Sequence, residues 1–213
     1  MSTTKTRRSV SLLAAFAVAA GALALPAAAS QATPTFGLAA TTERAPSLVD
    51  LDPAKTGSIT IHKLVKQDDN GTKEGNGLLD PSATGKPLAG ATFTVEKLTS
   101  VDLTKQEGWE KLANYRKGKG DEKISANAAA IEAARADGTG TPVSMTTGDD
   151  GLATFNNLAL GAYIVTETQT PAGYTGSRPF IITVPMTHPT ELNKWVYDVH
   201  AYPKNAKVNV EKE

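Results

Sequence analysis

The stretch GSITIHKLV, residues 57–65, decides the fold class because its polar and apolar side chains alternate. Successive side chains of a β-strand point to opposite faces of a sheet, so this alternation predicts a half-buried strand. Ile59, Ile61 and Val65 share the apolar face, and Lys63 lies among them. A lysine that points into an apolar core is costly unless it has a partner. The stretch therefore predicts a sheet-based core that also holds a buried amine.

Further short segments with strand character follow, separated by turns rich in Gly, Pro and Asp. We predict strands at residues 88–97, 142–146, 152–155, 161–168, 180–184 and 195–202. Short strands at regular spacing with such turns are typical of a β-sandwich. The strands do not alternate with helices one by one, so the sequence predicts an all-β sandwich.

The segment 104–136 differs from the rest because it is rich in Ala, Lys and Glu. Trp109, Leu112 and Tyr115 recur at helical spacing, and a glycine break lies near Gly118. This pattern predicts two helices inserted between strands. We expect this helical insert to pack at one end of the sandwich.

The N-terminus indicates export. Basic residues at Lys5, Arg7 and Arg8 precede an apolar segment at 10–25 and three alanines at 27–29. This order predicts a signal peptide over residues 1–29, followed by a flexible leader over residues 30–56. The paired arginines also match a twin-arginine signal loosely, but ordinary secretion fits the whole segment better.

Composition excludes several classes of function. The 22 basic and 22 acidic residues balance, which gives no electrostatic basis for binding nucleic acid. The chain has no cysteine, so an exported domain must be held by its core or by another kind of covalent cross-link. His62, His188 and His200 lack the spacing of metal ligands, and we expect no metal or other cofactor. No catalytic Ser/His/Asp order or phosphate-binding glycine loop stands out, so we do not expect an enzyme.

Two more polar side chains point inward by the period-two rule. In the strand at 161–168, Glu167 shares a face with Tyr163 and Val165. In the last strand, Asn205 lies on the side of the apolar residues, and Lys204 lies on the opposite side. The rule therefore places a carboxylate and an amide in the same core as the buried lysine.

Lys63, Glu167 and Asn205 together predict either a buried ion pair or a covalent cross-link, because lone buried charges are costly. In the covalent alternative, deprotonated Lys63 attacks the side-chain amide of Asn205 while Glu167 transfers protons and polarises the carbonyl. Ammonia leaves, and an isopeptide bond joins the first strand to the last. Asn209 is the alternative partner if the register of the last strand is shifted.

The segment WVYDVHAYPKN, residues 195–205, resembles the pilin motif W-x-x-x-V-x-V-Y-P-K of sortase-assembled pili in Gram-positive bacteria. The matching positions are Trp195, Val199, Tyr202, Pro203 and Lys204. Ala201 stands where the family usually has valine. The resemblance implies that Lys204 is the amine by which a class C sortase joins one subunit to the next.

The segment YIVTETQTPAGY, residues 163–174, is similar to the E-box of these pilins, Y-x-L-x-E-T-x-A-P-x-G-Y. Residues 88–93 and 151–161 are similar to their Cna B-type domains. The resemblance implies an Ig-like (Cna B-type) sandwich over residues 57–206, and it makes Glu167 the catalytic acid of an isopeptide bond. Some N-terminal domains of this family form the lysine–asparagine bond and others lack it, so the bond between Lys63 and Asn205 stays open.

The chain thus resembles the N-terminal domain of a major (shaft) pilin, a structural subunit of a secreted, cell-wall-anchored fimbria. The partners that this implies are a class C sortase, other copies of the same pilin joined head to tail, and tip and base pilins. Residues 207–213 would lead to a further domain, and without a sorting motif or hydrophobic span after them we expect a longer subunit. We also expect the helical insert to lie near Lys204, where it would help the sortase to dock. The alternative is a non-polymerised adhesin module of the same fold that binds a host protein or glycan.

Overall fold

The computed structural model describes residues 47–66, 75–83, 85–116 and 128–208. The predicted signal peptide, most of the predicted leader, the glycine break near Gly118 and Asn209 lie outside the described residues. Within the described ranges, no helix is long and apolar enough to cross a lipid bilayer.

The described residues form a short 3-10 helix, two α-helices and twelve β-strands. The 3-10 helix spans Leu48–Asp50, and the α-helices are α1 (Gln106–Arg116) and α2 (Ala128–Ala136). The strands are β1 (Thr56–His62), β2 (Leu64–Val65), β3 (Thr92–Lys97), β4 (Val143–Thr146), β5 (Leu152–Ala159), β6 (Gly161–Gln169), β7 (Tyr174–Thr175), β8 (Phe180–Val184), β9 (Met186–Thr187), β10 (Trp195–Val196), β11 (Asp198–Ala201) and β12 (Lys204–Lys207). Both helices fall inside the predicted insert.

Two sheets enclose the main core. One has the strand order β11-β1-β5, and the other has the order β4-β3-β6-β8. Strand β1 pairs parallel with β11 and antiparallel with β5. Ile59 and Ile61 of the first sheet pack in one cluster with Phe93, Val95 and Val165 of the second. The predicted all-β sandwich is confirmed.

Two smaller sheets were not predicted. One has the order β2-β12-β7, and the other pairs β10 with β9. Strand β12 runs parallel to β2 and antiparallel to β7. Apart from β12, these strands have only two residues each, and alternation cannot be recognised over so short a length.

The predicted closing strand at 195–202 is two strands, because the chain changes partners at Tyr197. Strand β10 pairs with β9, whereas β11 pairs with β1 at the edge of its sheet. A Cβ on Gly57 would lie 2.2 Å from the carbonyl oxygen of Tyr197, so only glycine lets the two backbones approach here. The strand stops again before Pro203, which has no N–H for a ladder. Lys204 therefore begins a separate strand, β12. The alternation of side-chain directions that the sequence predicts for one continuous strand over 195–205 does not hold across these two breaks.

The prediction that the helical insert packs at one end of the sandwich is wrong. The insert packs on the outer face of the four-stranded sheet, in a second core made by Leu98, Val101, Leu103, Leu112, Ile131, Ala134, Ala162, Ile164 and Ile181. The reason lies in β6, which is apolar on both faces: Tyr163 and Val165 face the main core, while Ala162 and Ile164 face the helices.

The folded domain begins before the predicted boundary at residue 57. Ser47 caps the 3-10 helix, where its hydroxyl accepts from the Val49 N–H at 3.4 Å and its own N–H donates to the Asp50 carboxylate at 3.0 Å. Leu51 is buried, and the Lys55 ammonium lies 3.7 Å from the centre of the Tyr197 ring. The end of the segment assigned to the leader is thus part of the domain.

Candidate functional site

Lys63 lies at the break between β1 and β2, where two loops hold its backbone. Its N–H donates to the carbonyl of Gly151 at 2.8 Å, and its carbonyl accepts from the Leu88 N–H at 3.0 Å. Gly151 has a φ of 73°, and a Cβ there would lie 2.6 Å from the Lys63 carbonyl oxygen, so this turn requires glycine. The Lys63 side chain continues the inward side begun by Ile59 and Ile61, and it is fully buried.

The buried lysine meets both of the residues that the period-two rule placed inward. Lys63 Nζ lies 2.9 Å from Oε2 of Glu167 and 2.5 Å from Oδ1 of Asn205. Nδ2 of Asn205 donates to Oε1 of Glu167 at 2.6 Å, which closes a triangle of hydrogen bonds. The ring of Phe93 covers the amine, with its centre 5.2 Å from Nζ. We call Lys63, Glu167 and Asn205 the Lys–Glu–Asn cluster.

The small sheet β2-β12-β7 brings Asn205 to this cluster. Asn205 pairs with Val65, which is two residues after Lys63, and its carbonyl accepts from the Lys66 N–H at 2.8 Å. The side chain of Asn205 is fully buried. The chain segment after Lys63 and the strand that carries Asn205 therefore lie side by side.

Glu167 has another partner, Ser177, which sequence reasoning missed. The Ser177 N–H donates to Oε2 of Glu167 at 2.6 Å, and the Ser177 hydroxyl donates to the same oxygen at 2.7 Å. Ser177 lies between β7 and β8, so no strand periodicity marks its direction. Its place ten residues after Glu167, just beyond the E-box, is the signal that could have found it.

Burial and hydrogen bonding shift the pKa of both ionisable groups in the cluster. Burial lowers the pKa of the Lys63 ammonium because the charged form loses its hydration, and the bond to Glu167 opposes only part of this effect. Burial raises the pKa of the Glu167 carboxyl, but the donors from Ser177, Lys63 and Asn205 outweigh it and bring the pKa below its ordinary value. A lysine that loses its proton readily beside a carboxylate is suited to act as a nucleophile.

The geometry of the cluster fits an attack of the amine on the amide. A C=O bond is about 1.23 Å long, so the 2.5 Å between Nζ of Lys63 and Oδ1 of Asn205 puts Nζ within about 3.7 Å of Cγ. Reactive pairs are typically about 3–3.5 Å apart. Glu167 contacts the amine through Oε2 and the amide nitrogen through Oε1. One carboxyl group can therefore reach both the attacking and the leaving nitrogen.

The pilin-motif residues lie on three different strands and the break between two of them. Trp195 begins β10, Val199 is buried in β11, Tyr202 and Pro203 form the break, and Lys204 begins β12. Lys204 is half-buried, and its Nζ takes part in none of the hydrogen bonds and ion pairs of the described residues. Its neighbour Asn205 is fully buried, so the side chains of these adjacent residues of β12 lie in different environments.

Tyr202 is fixed by contacts with its ring and with its hydroxyl. The ring stacks on His62 with 4.4 Å between the centres, and the hydroxyl accepts from the Asp80 N–H at 2.7 Å. His62 also forms a hydrogen bond of 2.8 Å between its Nε2 and Nδ1 of His200. The contacts of Tyr202 hold the backbone just before Lys204.

Among the described residues, no three side chains of His, Asp or Glu come close enough to hold a metal ion.

The helical insert reaches the pilin motif at its first residue. Trp109 of α1 packs against Trp195 with 5.7 Å between the ring centres. The indole N–H of Trp195 donates to the carbonyl of Ser47 at 3.4 Å. The insert, the start of the domain and the motif therefore meet at Trp195.

Comparison with known proteins identifies the family. Residues 54–206 match the family model of the Gram-positive pilin subunit D1, N-terminal domain. The chain is 40% identical over 215 residues to the fimbrial subunit type 1 of Actinomyces viscosus, an alignment that covers 100% of this chain and 36% of that relative. It is also similar to the fimbrial protein FimP of Actinomyces oris, with 38% identity and a TM-score of 0.60 over 73% of this chain and 30% of that chain.

A second solved structure matches over its whole length. The SpaA pilin–signal peptide complex of Corynebacterium diphtheriae has 25% identity and a TM-score of 0.52, covering 73% of this chain and 100% of that chain. These relatives are fimbrial subunits and pilins, which are structural proteins rather than enzymes. The chain spans about a third of the fimbrial relatives, 36% and 30% of their lengths. With its sandwich fold and its match over residues 54–206, the chain belongs to the family of Gram-positive pilin N-terminal (D1) domains.

Proposed function

We propose that this domain is part of a shaft pilin and that Lys204 is the amine to which a class C sortase joins the sorting-motif threonine of another subunit. The observation that carries the proposal is the place of Lys204. It follows the anchored Tyr202 and Pro203 in a pilin D1 domain, and its Nζ is not engaged by the described residues.

The linkage reaction needs an accessible amine on a fixed piece of backbone. Nζ of Lys204 attacks the acyl group that the sortase holds, the new C–N bond forms, the bond to the enzyme breaks, and Nζ loses a proton. Fixed backbone lowers the entropy lost when the two reactants are brought together. A solved relative, the complex of the SpaA pilin with a signal peptide, supports this role. The whole length of that pilin chain matches this domain.

We also infer that the Lys–Glu–Asn cluster closes an internal isopeptide bond between Lys63 and Asn205. The support is the triangle of hydrogen bonds, 2.9, 2.5 and 2.6 Å long, between side chains that are shielded from solvent. Asn205 is favoured over Asn209 because it lies against the amine. The bond would join residues that are 142 positions apart and would replace the disulfide that the chain cannot form.

The assembled subunit would belong to a secreted, cell-wall-anchored fimbria of a Gram-positive bacterium, together with tip and base pilins. Other copies of the same pilin would be its covalent partners. The adhesin alternative has the same fold, so only the fate of Lys204 separates the two.

The test is polymer formation by the full-length subunit that carries Lys204→Arg, which keeps the positive charge and removes the primary amine. Lys207→Arg is the matched control, because Lys207 is an exposed lysine on the same strand. We expect high-molecular-weight polymer from the wild type and the control, and monomer alone from Lys204→Arg. Polymer of normal length from Lys204→Arg would show that another lysine makes the linkage. Monomer alone from the wild type as well would favour the non-polymerised adhesin role.

A further inference from the structure

We propose that Ser177 is the positioning residue for the internal cross-linking reaction, because it holds the Glu167 carboxylate with one oxygen on the amine and the other on the amide. The proposal rests on the inferred bond between Lys63 and Asn205 and deepens it. Ser177 itself exchanges no proton with either nitrogen.

The hydrogen-bond donors are divided unequally between the two carboxylate oxygens. Oε2 of Glu167 accepts from the Ser177 N–H, the Ser177 hydroxyl and Nζ of Lys63, while Oε1 accepts from Nδ2 of Asn205. The terminal torsion of a glutamate is broad and does not by itself choose an orientation. Two donors from one residue to one oxygen remove that freedom. The same carboxyl group then contacts the nitrogen that loses a proton and the nitrogen that gains one.

The loop that carries Ser177 is built to lie against the cluster. Strand β7 ends at Thr175, which pairs with Ala206, the residue next to Asn205. A Cβ on Gly176 would lie 2.5 Å from the hydroxyl of Thr170 and 3.8 Å from the Glu167 carboxyl group. Glycine at this position therefore lets the loop approach closely enough for both Ser177 donors to reach Oε2.

The reaction balances with Glu167 as the carrier of one proton. Nζ of Lys63, as a neutral amine, forms a bond to Cγ of Asn205 and gives a proton to the carboxylate. The carboxyl group gives a proton to Nδ2, the Cγ–Nδ2 bond breaks, and ammonia leaves. Glu167 ends as the carboxylate that it was at the start. Ser177 contributes by keeping the carboxyl group between the two nitrogens, within reach of both.

This role has a consequence for the pH dependence of bond formation. The reaction starts from a neutral Lys63 and a charged Glu167, so the rate falls in acid as this coupled pair takes up protons. A hydrogen bond to a carboxylate favours its charged form. Loss of the Ser177 hydroxyl should therefore move the acid limb of the rate profile to higher pH, an effect that simple loosening of the fold would not produce.

The test measures bond formation in the 213-residue chain, unfolded in denaturant before the bond has formed and refolded by dilution over a range of pH. Intact mass follows the loss of one ammonia with time. The variant Ser177→Ala removes the hydroxyl, and the variant Ser177→Thr keeps it. Ser144→Ala is the matched control, because its hydroxyl lies 2.8 Å from that of Thr94, outside the cluster.

We expect Ser177→Ala to form the bond about tenfold more slowly, as fits the loss of one hydrogen bond to a charged group. Its acid limb should lie at higher pH, whereas Ser177→Thr and Ser144→Ala should follow the wild type. A wild-type rate and profile in Ser177→Ala would overturn the role of Ser177 and leave the bond intact. So would a slower rate with an unshifted profile that threonine does not restore. A folded wild type that never loses ammonia would overturn the bond and the role of Ser177 together.

Discussion

Lys63 is the residue whose burial the rest of the domain must compensate. Its side chain and that of Glu167 are both fully shielded from solvent, and their ion pair is 2.9 Å long. Removal of one partner from such a pair leaves an uncompensated buried charge, which typically costs about 3–5 kcal/mol. The ion pair and the proposed bond thus depend on the same glutamate.

We predict that Glu167→Gln abolishes the loss of ammonia and lowers the free energy of unfolding by about 3–5 kcal/mol or more, because the lysine keeps its buried charge without a counter-ion. Urea unfolding and intact mass measure the two effects. Glu132→Gln is the control, since Glu132 forms an exposed ion pair with Arg135 that should contribute at most about 1 kcal/mol. An ammonia loss of wild-type extent in Glu167→Gln would contradict the role of Glu167.

The His62–His200 pair predicts a loss of stability in acid. Burial lowers the pKa of both imidazoles below the ordinary 6.5, and for His62 the proximity of His200 lowers it further. Asp150 and Asp198 oppose these shifts only in part. The unfolded chain therefore takes up protons at higher pH than the folded one, so the contribution to stability is complete above about pH 6.5 and falls as the pH drops below it.

Thermal unfolding measures this effect at a series of pH values between about 7.5 and 5, the range over which histidine side chains titrate. We expect the melting temperature of the wild type to fall across this window and that of His200→Gln to fall less steeply. The 2.8 Å bond between the two rings also cannot persist when both are charged. Parallel slopes in the two proteins would show that the pair does not set the dependence.

Among the elements, the helical insert and β10 form one unit through Trp109 and Trp195. We predict that Trp109→Ala destabilises the domain by about 2 kcal/mol, less than a fully buried tryptophan would cost because the ring is half-buried. It should also slow sortase-dependent polymerisation, since the first residue of the pilin motif loses its support. Urea unfolding and the rate of polymer growth measure the two effects.

Leu112→Ala is the control for this prediction. Leu112 is buried in the same second core, so the variant should be destabilised to a similar or greater extent. Its polymerisation should nevertheless match the wild type at temperatures where both are folded. Equal polymerisation rates for Trp109→Ala and the wild type would mean that the insert does not position the motif.

The elements also show how far the sequence predicts this structure. The alternation in 57–65 places Ile59, Ile61 and Lys63 inward, and all three are buried. The position of the insert was missed, although the unbroken apolar run from Ala162 to Val165 is typical of a strand that is covered on both faces.

Within the candidate site, the inward direction of Glu167 followed from periodicity because this residue lies on the continuous strand β6. The inward direction predicted for Asn205 agrees with the structure, but it was counted across the two breaks that separate β10, β11 and β12. Ser177 lies in a loop, where no period fixes the direction of a side chain. The two-residue strands β2 and β7, which bring the site together, are too short to carry a pattern. The sequence therefore predicts the three members of the Lys–Glu–Asn cluster but not Ser177, which donates two hydrogen bonds to Glu167.

At the scale of the whole molecule, β12 carries the proposed external linkage at Lys204 beside the proposed internal one at Asn205. Non-covalently, β12 is held by two residue pairs with β2 and two with β7. A force applied through Lys204 would load these few pairs first. An internal bond across 142 residues would tie β12 to the main sheet and, by the loop-closure estimate, add roughly 5 kcal/mol of stability.

Peptide mapping by mass spectrometry of polymer released from the producing cell wall would show whether Lys204 joins one subunit to another. We expect a branched peptide that links Lys204 to the threonine of a sorting motif. We also expect a second branched peptide, lighter by one ammonia, that links Lys63 to Asn205. Unmodified Lys204 throughout the assembled polymer would rule out the proposed linkage, whatever the state of Lys63.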